Sequence, residues 1–197
     1  MNSSCTIARS TCSLIDPLEI GRIFESGLLY ASRSFFVIDP GTRTYRTDAR
    51  YPNLLDEARA LTQAFKEGAA LIVKNLEGFT PRIRRRCSDL GPSVDVHLYL
   101  TPPKGGASFE LHADERDVLV HLAYGSKTFI TREGEEDTTW LLGPGDELWI
   151  PKGVLHMAIP EGPSALLSFG IPRRVDYPIP GGLRPEDLGI ESLKTAL

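Results

Sequence analysis

Two short stretches carry the residues best suited to metal chemistry. The first reads Phe109-Glu110-Leu111-His112-Ala113-Asp114 and runs on into the apolar segment Val118 to Leu122. The second reads Gly143-Pro144-Gly145-Asp146, Glu147 to Ile150, Pro151-Lys152-Gly153-Val154-Leu155-His156. Along a strand, residues i and i+2 share a face, so His112 and Asp114 can converge on one ion. His156 follows a Pro-Lys-Gly turn, which puts it at the start of a strand able to lie beside the first. Two neutral imidazoles and one carboxylate make a facial triad for a divalent transition metal, above all non-haem Fe(II), with positions left open for O2 and an organic cosubstrate. Each residue taken singly also has a plainer reading, as a hydrogen-bonded polar group on a strand edge or barrel mouth. It is the joint spacing that points to a metal. No cysteine lies near, so a thiolate zinc site has no support.

Strands must position these ligands, and the sequence from Val94 onward is organised accordingly. Apolar runs follow one another at Val94 to Leu100, Val118 to Ala123, Thr128 to Thr131, Thr139 to Leu142, Glu147 to Ile150, Leu155 to Ile159 and Ala165 to Ile171. Turn-rich separators divide them, among them Pro102-Pro103-Lys104-Gly105-Gly106, Tyr124-Gly125-Ser126 and Gly134-Glu135-Glu136-Asp137. Many short strands at near-regular spacing predict a mainly β domain, a double-stranded β-helix or jelly roll of about eight strands.

The segment before it reads as an α+β lead-in. Residues 1 to about 14 show no pattern. Asp16-Pro17 opens a helix through Gly27 or beyond, with Asp16 as N-cap and Pro17 at the first helical position. Phe35 to Ile38 is a short strand. Leu54 to Lys66 carries a helical apolar stripe in Leu54, Leu55, Ala58, Leu61 and Phe65. Ala70 to Val73 reads as a buried strand, and a third helix runs from Pro81 to Leu90. The expected organisation is a lead-in over 1–92 packing on the barrel, a core over 93–172, and a tail over 173–197 with a short helix from Pro185 to Leu193.

Bulk properties exclude some partners. The 197 residues suit one domain with a real core, and 24% charged with 41% hydrophobic is ordinary for a globular chain. A net charge of −4 gives no general attraction to nucleic acid. The one basic cluster, Arg82, Arg84, Arg85 and Arg86, lacks interleaved aromatics and reads as a solvated helix face. Cys5, Cys12 and Cys87 have no metal or disulfide spacing, and neither a signal peptide nor a membrane span is evident. A cytoplasmic protein with no nucleic-acid or membrane partner is expected. Dimerisation through the N-terminal helices is compatible with the sequence, but no pattern demands it.

The second stretch, Pro-Gly-Asp-x4-Pro-x-Gly-x2-His, matches the second motif of the cupins. The span Val94 to Ile171 resembles the Jumonji-C-like 2-oxoglutarate oxygenases, the group of ribosomal oxygenases and asparaginyl hydroxylases. The likeness rests on Tyr99-Leu100-Thr101-Pro102-Pro103, His112-Ala113-Asp114, Asp117-Val118-Leu119-Val120 and Gly125-Ser126-Lys127. The resemblance implies an Fe(II)- and 2-oxoglutarate-dependent oxygenase that hydroxylates an amino acid, peptide or protein side chain, with succinate and CO2 as coproducts. His112, Asp114 and His156 would hold iron. Lys127, 13 residues after Asp114, would bind the distal carboxylate of 2-oxoglutarate, with Tyr99 and Ser168 as further candidates for that pocket. Where some relatives place a hydroxyl for the cosubstrate, this chain has Phe109. Relatives also carry further domains for dimerisation and substrate capture, whereas about 26 residues follow Ile171 here, which favours an amino acid or peptide substrate. His97 and His121 stay outside the metal set. A cupin enzyme without 2-oxoglutarate and a non-catalytic cupin binding module are the rival expectations.

Overall fold

The computed structural model describes residues 4–9, 12–27, 29, 34–38, 45–46, 54–104, 106, 108–159 and 161–173. The tail helix expected at Pro185 to Leu193 lies outside them. The described elements, in order, are β1 (Thr6–Ala8), α1 (Pro17–Glu25), β2 (Phe35–Ile38), β3 (Tyr45–Arg46), α2 (Leu54–Glu67), β4 (Ala70–Val73), α3 (Pro81–Leu90) and β5 (Asp95–Thr101). Then come β6 (Asp117–Tyr124), β7 (Lys127–Glu133), β8 (Glu136–Leu142), β9 (Glu147–Ile150), β10 (Leu155–Ile159) and β11 (Ser164–Ile171). They form an eight-stranded sheet in the order β1-β9-β6-β11-β5-β4-β2-β3 and a three-stranded sheet in the order β10-β7-β8. Every described pairing of named strands is antiparallel. The expected mainly β jelly roll is borne out.

Among the described residues, 1–92 contribute four strands to the larger sheet. Two of them escaped the sequence reading for the same reason. β1 is three residues long and β3 two, too short for alternation to register. Both are held by pairing to a longer neighbour, Thr6–Ala8 against Glu147–Trp149 and Tyr45–Arg46 against Val37–Ile38.

The larger sheet buries both faces, and the parity of each strand decides which residues go where. On one side Val96, Leu98, Leu119, Leu167 and Phe169 meet Ile23, Leu61 and Ile83 of the three helices. On the other side Val118, Val120, Leu122 and Leu166 face Phe129 and Leu142 of the smaller sheet and close the barrel core. This double burial explains why Val118 to Leu122 reads as a continuous apolar run rather than an alternating one.

Local chemistry sets the helix starts. Asp16 and Glu19 form a reciprocal capping box at α1, Asp16 accepting from Glu19 N–H and Glu19 accepting from Asp16 N–H, each at 2.9 Å. Thr80 caps α3 by accepting from Ile83 N–H at 3.1 Å, with Pro81 just inside the helix. No helix among the described residues is long and apolar enough to cross a membrane.

Candidate active site

The turn Pro151-Lys152-Gly153-Val154 lets the chain leave β9 of one sheet and enter β10 of the other. Val154 N–H donates to Pro151 O at 3.1 Å, and Gly153 at φ 84° takes the left-handed position such a turn requires. His156 follows at once. The segment before β6 lies along the free side of β10: His112 N–H donates to His156 O at 3.1 Å, and His156 N–H donates to His112 O at 2.7 Å. Two residues on, Asp114 shares the face of His112. One ligand atom from each of His112, Asp114 and His156 lies within 4.8 Å of the others, and His156 Nε2 stands 3.5 Å from Asp114 Oδ2.

Both imidazoles are set in one tautomer. His112 Nδ1 lies 2.7 Å from Glu110 O and His156 Nδ1 lies 3.0 Å from Val154 O. A carbonyl oxygen only accepts, so each Nδ1 carries a proton and each Nε2 is the nitrogen left for a metal; that of His156 donates to Asp114 Oδ2 when it is protonated. That is the arrangement in which an outer partner orients a metal-binding histidine. The hydrogen bond with His156 holds the Asp114 carboxyl below its usual range; burial opposes this, and the charges of His156, His112 and His97 reinforce it. The carboxylate is therefore ionised at neutral pH, as a ligand must be. Among the described residues no other group of three such side chains converges in this way.

The cluster opens into a cavity of about 630 Å³ between the two sheets, lined also by Tyr99, Thr101, Phe109, Lys127 and Ser168. Lys127, the first residue of β7, is 5% exposed and donates from Nζ to Thr101 Oγ1 at 3.0 Å. Burial pushes its ammonium down to about 8. The plain alternative of a solvated turn lysine is thus excluded by its placement. Tyr99 and Ser168 line the same cavity, on the neighbouring strands β5 and β11. Phe109 packs edge-on against both Tyr99 and His112, with ring centroids 6.4 and 5.6 Å apart.

Thr101 was missed as a site residue. It sits in the Thr-Pro-Pro strand end and is two and four residues from Tyr99 and His97, so strand parity placed it on their face. His97 does line the cavity, with Nε2 3.3 Å from Asp95 Oδ2, but is outside the three-ligand group. His121 is on the opposite face of its strand, where Nε2 accepts from Leu14 N–H at 3.1 Å. Three of the four clustered arginines make local contacts: Arg82 pairs with Glu19 and Asp16, Arg84 donates to Gly78 O, and Arg86 pairs with Glu147.

No protein-family profile matches the chain. In sequence it is similar to the bifunctional lysine-specific demethylase and histidyl-hydroxylase NO66 of Drosophila simulans, 26% identical over an alignment covering 81% of this chain and 22% of that protein. The protein of the same name from Branchiostoma floridae is 31% identical over 48% of this chain and 16% of its own length. In structure it is similar to the ribosomal oxygenase YcfD of Escherichia coli, with a TM-score of 0.59 at 15% identity, covering 97% of this chain and 62% of that one. The fold is the one YcfD has. The resemblance to the Jumonji-C-like oxygenases thus holds. One YcfD structure, solved with cobalt and 2-oxoglutarate, overlays this chain with a TM-score of 0.58 at 13% identity. The chain spans less than two thirds of the length of each of these proteins.

Proposed function

We propose that the protein is an Fe(II)- and 2-oxoglutarate-dependent oxygenase that hydroxylates an amino acid, peptide or protein side chain. The observation that carries this reading is the pairing of a His-Asp-His cluster with a buried lysine in one cavity. His112 and His156 would bind the metal through Nε2 and Asp114 through a carboxylate oxygen, and the donor set suits a divalent ion with open positions. The bound metal and cosubstrate together supply oxidising power that no side chain possesses.

The remaining roles belong to the chain. A buried ammonium is unfavourable unless an anion meets it, so Lys127 offers a strong site for the distal carboxylate of 2-oxoglutarate. Thr101 positions that ammonium through its hydroxyl and stands in for the hydroxyl that Phe109 lacks. Tyr99 and Ser168 contribute polar groups to the same pocket. Val118, Val120, Phe129, Ala158 and Leu166 exclude water from it. The names of the relatives support a protein or peptide substrate. Cys5, Cys12 and Cys87 form no disulfide, which fits a reducing compartment such as the cytoplasm.

Anaerobic addition of Fe(II) and then 2-oxoglutarate tests the reading. A visible charge-transfer band is expected in the wild type, weakened in Lys127→Ala and absent in His112→Ala. Metal binding with no band would transfer the protein to cupin chemistry without 2-oxoglutarate, and the absence of any metal binding would favour a binding module.

A further inference from the structure

The candidate ligands come from two separate segments, and besides the His156–Asp114 side-chain contact, hydrogen bonds from backbone donors stitch these together. Two are the reciprocal backbone bonds between His112 and His156, and a third runs from Gly153 N–H to Asp114 O at 3.0 Å. A fourth differs in kind. Lys152 N–H donates at 2.7 Å to Oδ1 of Asp117, so here a side chain holds the turn.

The Asp117 carboxylate is itself gripped. Arg173, two residues beyond β11, places Nε 3.1 Å from Oδ1 and 3.0 Å from Oδ2, with Nη2 2.6 Å from Oδ1. The Asp117 side chain is 8% exposed and that of Arg173 30%. A forked guanidinium on a buried carboxylate fixes orientation as well as charge. Asp117 is not among the converging ligands. It nevertheless touches the turn whose Val154 carbonyl orients the His156 ring.

Resting on the metal reading above, we infer that Asp117 and Arg173 are positioning residues for the metal centre. Arg173 orients Asp117, Asp117 holds the Lys152–Gly153 turn, and the turn sets both the Asp114 carbonyl and the rotation of His156. The pair thereby keeps the His112–Asp114 segment and His156 at ligand spacing. A purely structural ion pair would tie the end of β11 to β6 and leave metal affinity alone.

Titration of the apoprotein with Co(II), followed by its visible absorption, separates the two roles. Arg173→Ala and Asp117→Ala are expected to bind Co(II) roughly 10- to 100-fold more weakly, the usual effect of losing an outer partner of a metal ligand. Their Co(II) spectra should also change. Arg173→Lys keeps the charge without the fork and should fall between them and wild type. Ile83→Val, destabilised in the helix-side core far from the turn, should lower the melting temperature with no change in affinity or spectrum. Wild-type affinity and spectrum in Arg173→Ala, or in Arg173→Lys should the alanine variants fail to fold, would overturn the inference. Failure of the wild type to bind Co(II) would sink the metal reading itself, and this inference with it.

Discussion

Lys127 carries opposite consequences for binding and for stability. Its pKa of about 8 in the folded chain lies below the ordinary lysine value of 10.5 because burial disfavours the ammonium. Between those values the unfolded chain binds more protons than the folded one, so stability rises with pH across that window; below about 8 the burial cost is present in full. Lys127→Met should therefore be more stable than wild type in urea at pH 7, with the gap closing toward pH 10.5. The same substitution should raise the 2-oxoglutarate requirement roughly 10- to 100-fold, the worth of one charge-assisted hydrogen bond. For the wild type, 2-oxoglutarate affinity should fall as pH climbs above about 8, by up to about tenfold per unit, since only the ammonium pairs with carboxylate. A flat profile in isothermal titration from pH 7 to 9 would remove Lys127 from that role. The residue-scale site was legible where spacing encodes geometry, as in His112-Ala113-Asp114. Thr101 was not, because its role arises from Lys127, 26 residues away in sequence, reaching across to the end of β5.

At the scale of elements, the β6–β7 connection delivers Lys127 to the cavity and depends on one glycine. Gly125 sits at φ 81°, and a Cβ added there would meet Pro163 O at 2.2 Å, a contact with rigid backbone. Gly125→Ala should cost roughly 1–3 kcal/mol, the range of a non-glycine residue forced into a sparsely populated conformation, with the clash adding to it. Urea denaturation measures the loss, and a neutral substitution would mean the turn can relax. The strands flanking this turn were legible as apolar runs, though β7 and β8 extend further than their apolar cores, to Lys127–Glu133 and Glu136–Leu142. Their extra residues are polar positions recruited by pairing, such as Arg132 with Asp137, and hydrophobic pattern alone does not record that.

The whole molecule is a shared sheet with a core on each face, and the two cores serve different ends. Phe169 is fully buried on the helix side, whereas the ligand cluster opens on the other. Phe169→Ala should cost about 3–5 kcal/mol by thermal or chemical unfolding, from lost burial and the cavity left behind. Co(II) affinity measured well below its melting temperature should stay near wild type, since no ligand leans on that face. The architecture as a whole was legible from the density of strands, but its left-hand margin was not. β1 covers the outer edge of β9, the strand that runs directly into Pro151 and the ligand turn. Three residues thus act as a cover strip over exposed peptide groups. A preparation clipped before Cys12 would leave Glu147–Trp149 with open donors and acceptors, a template on which another molecule's strand can dock. Colloidal behaviour rather than catalysis would report that loss first, as light scattering that grows with protein concentration.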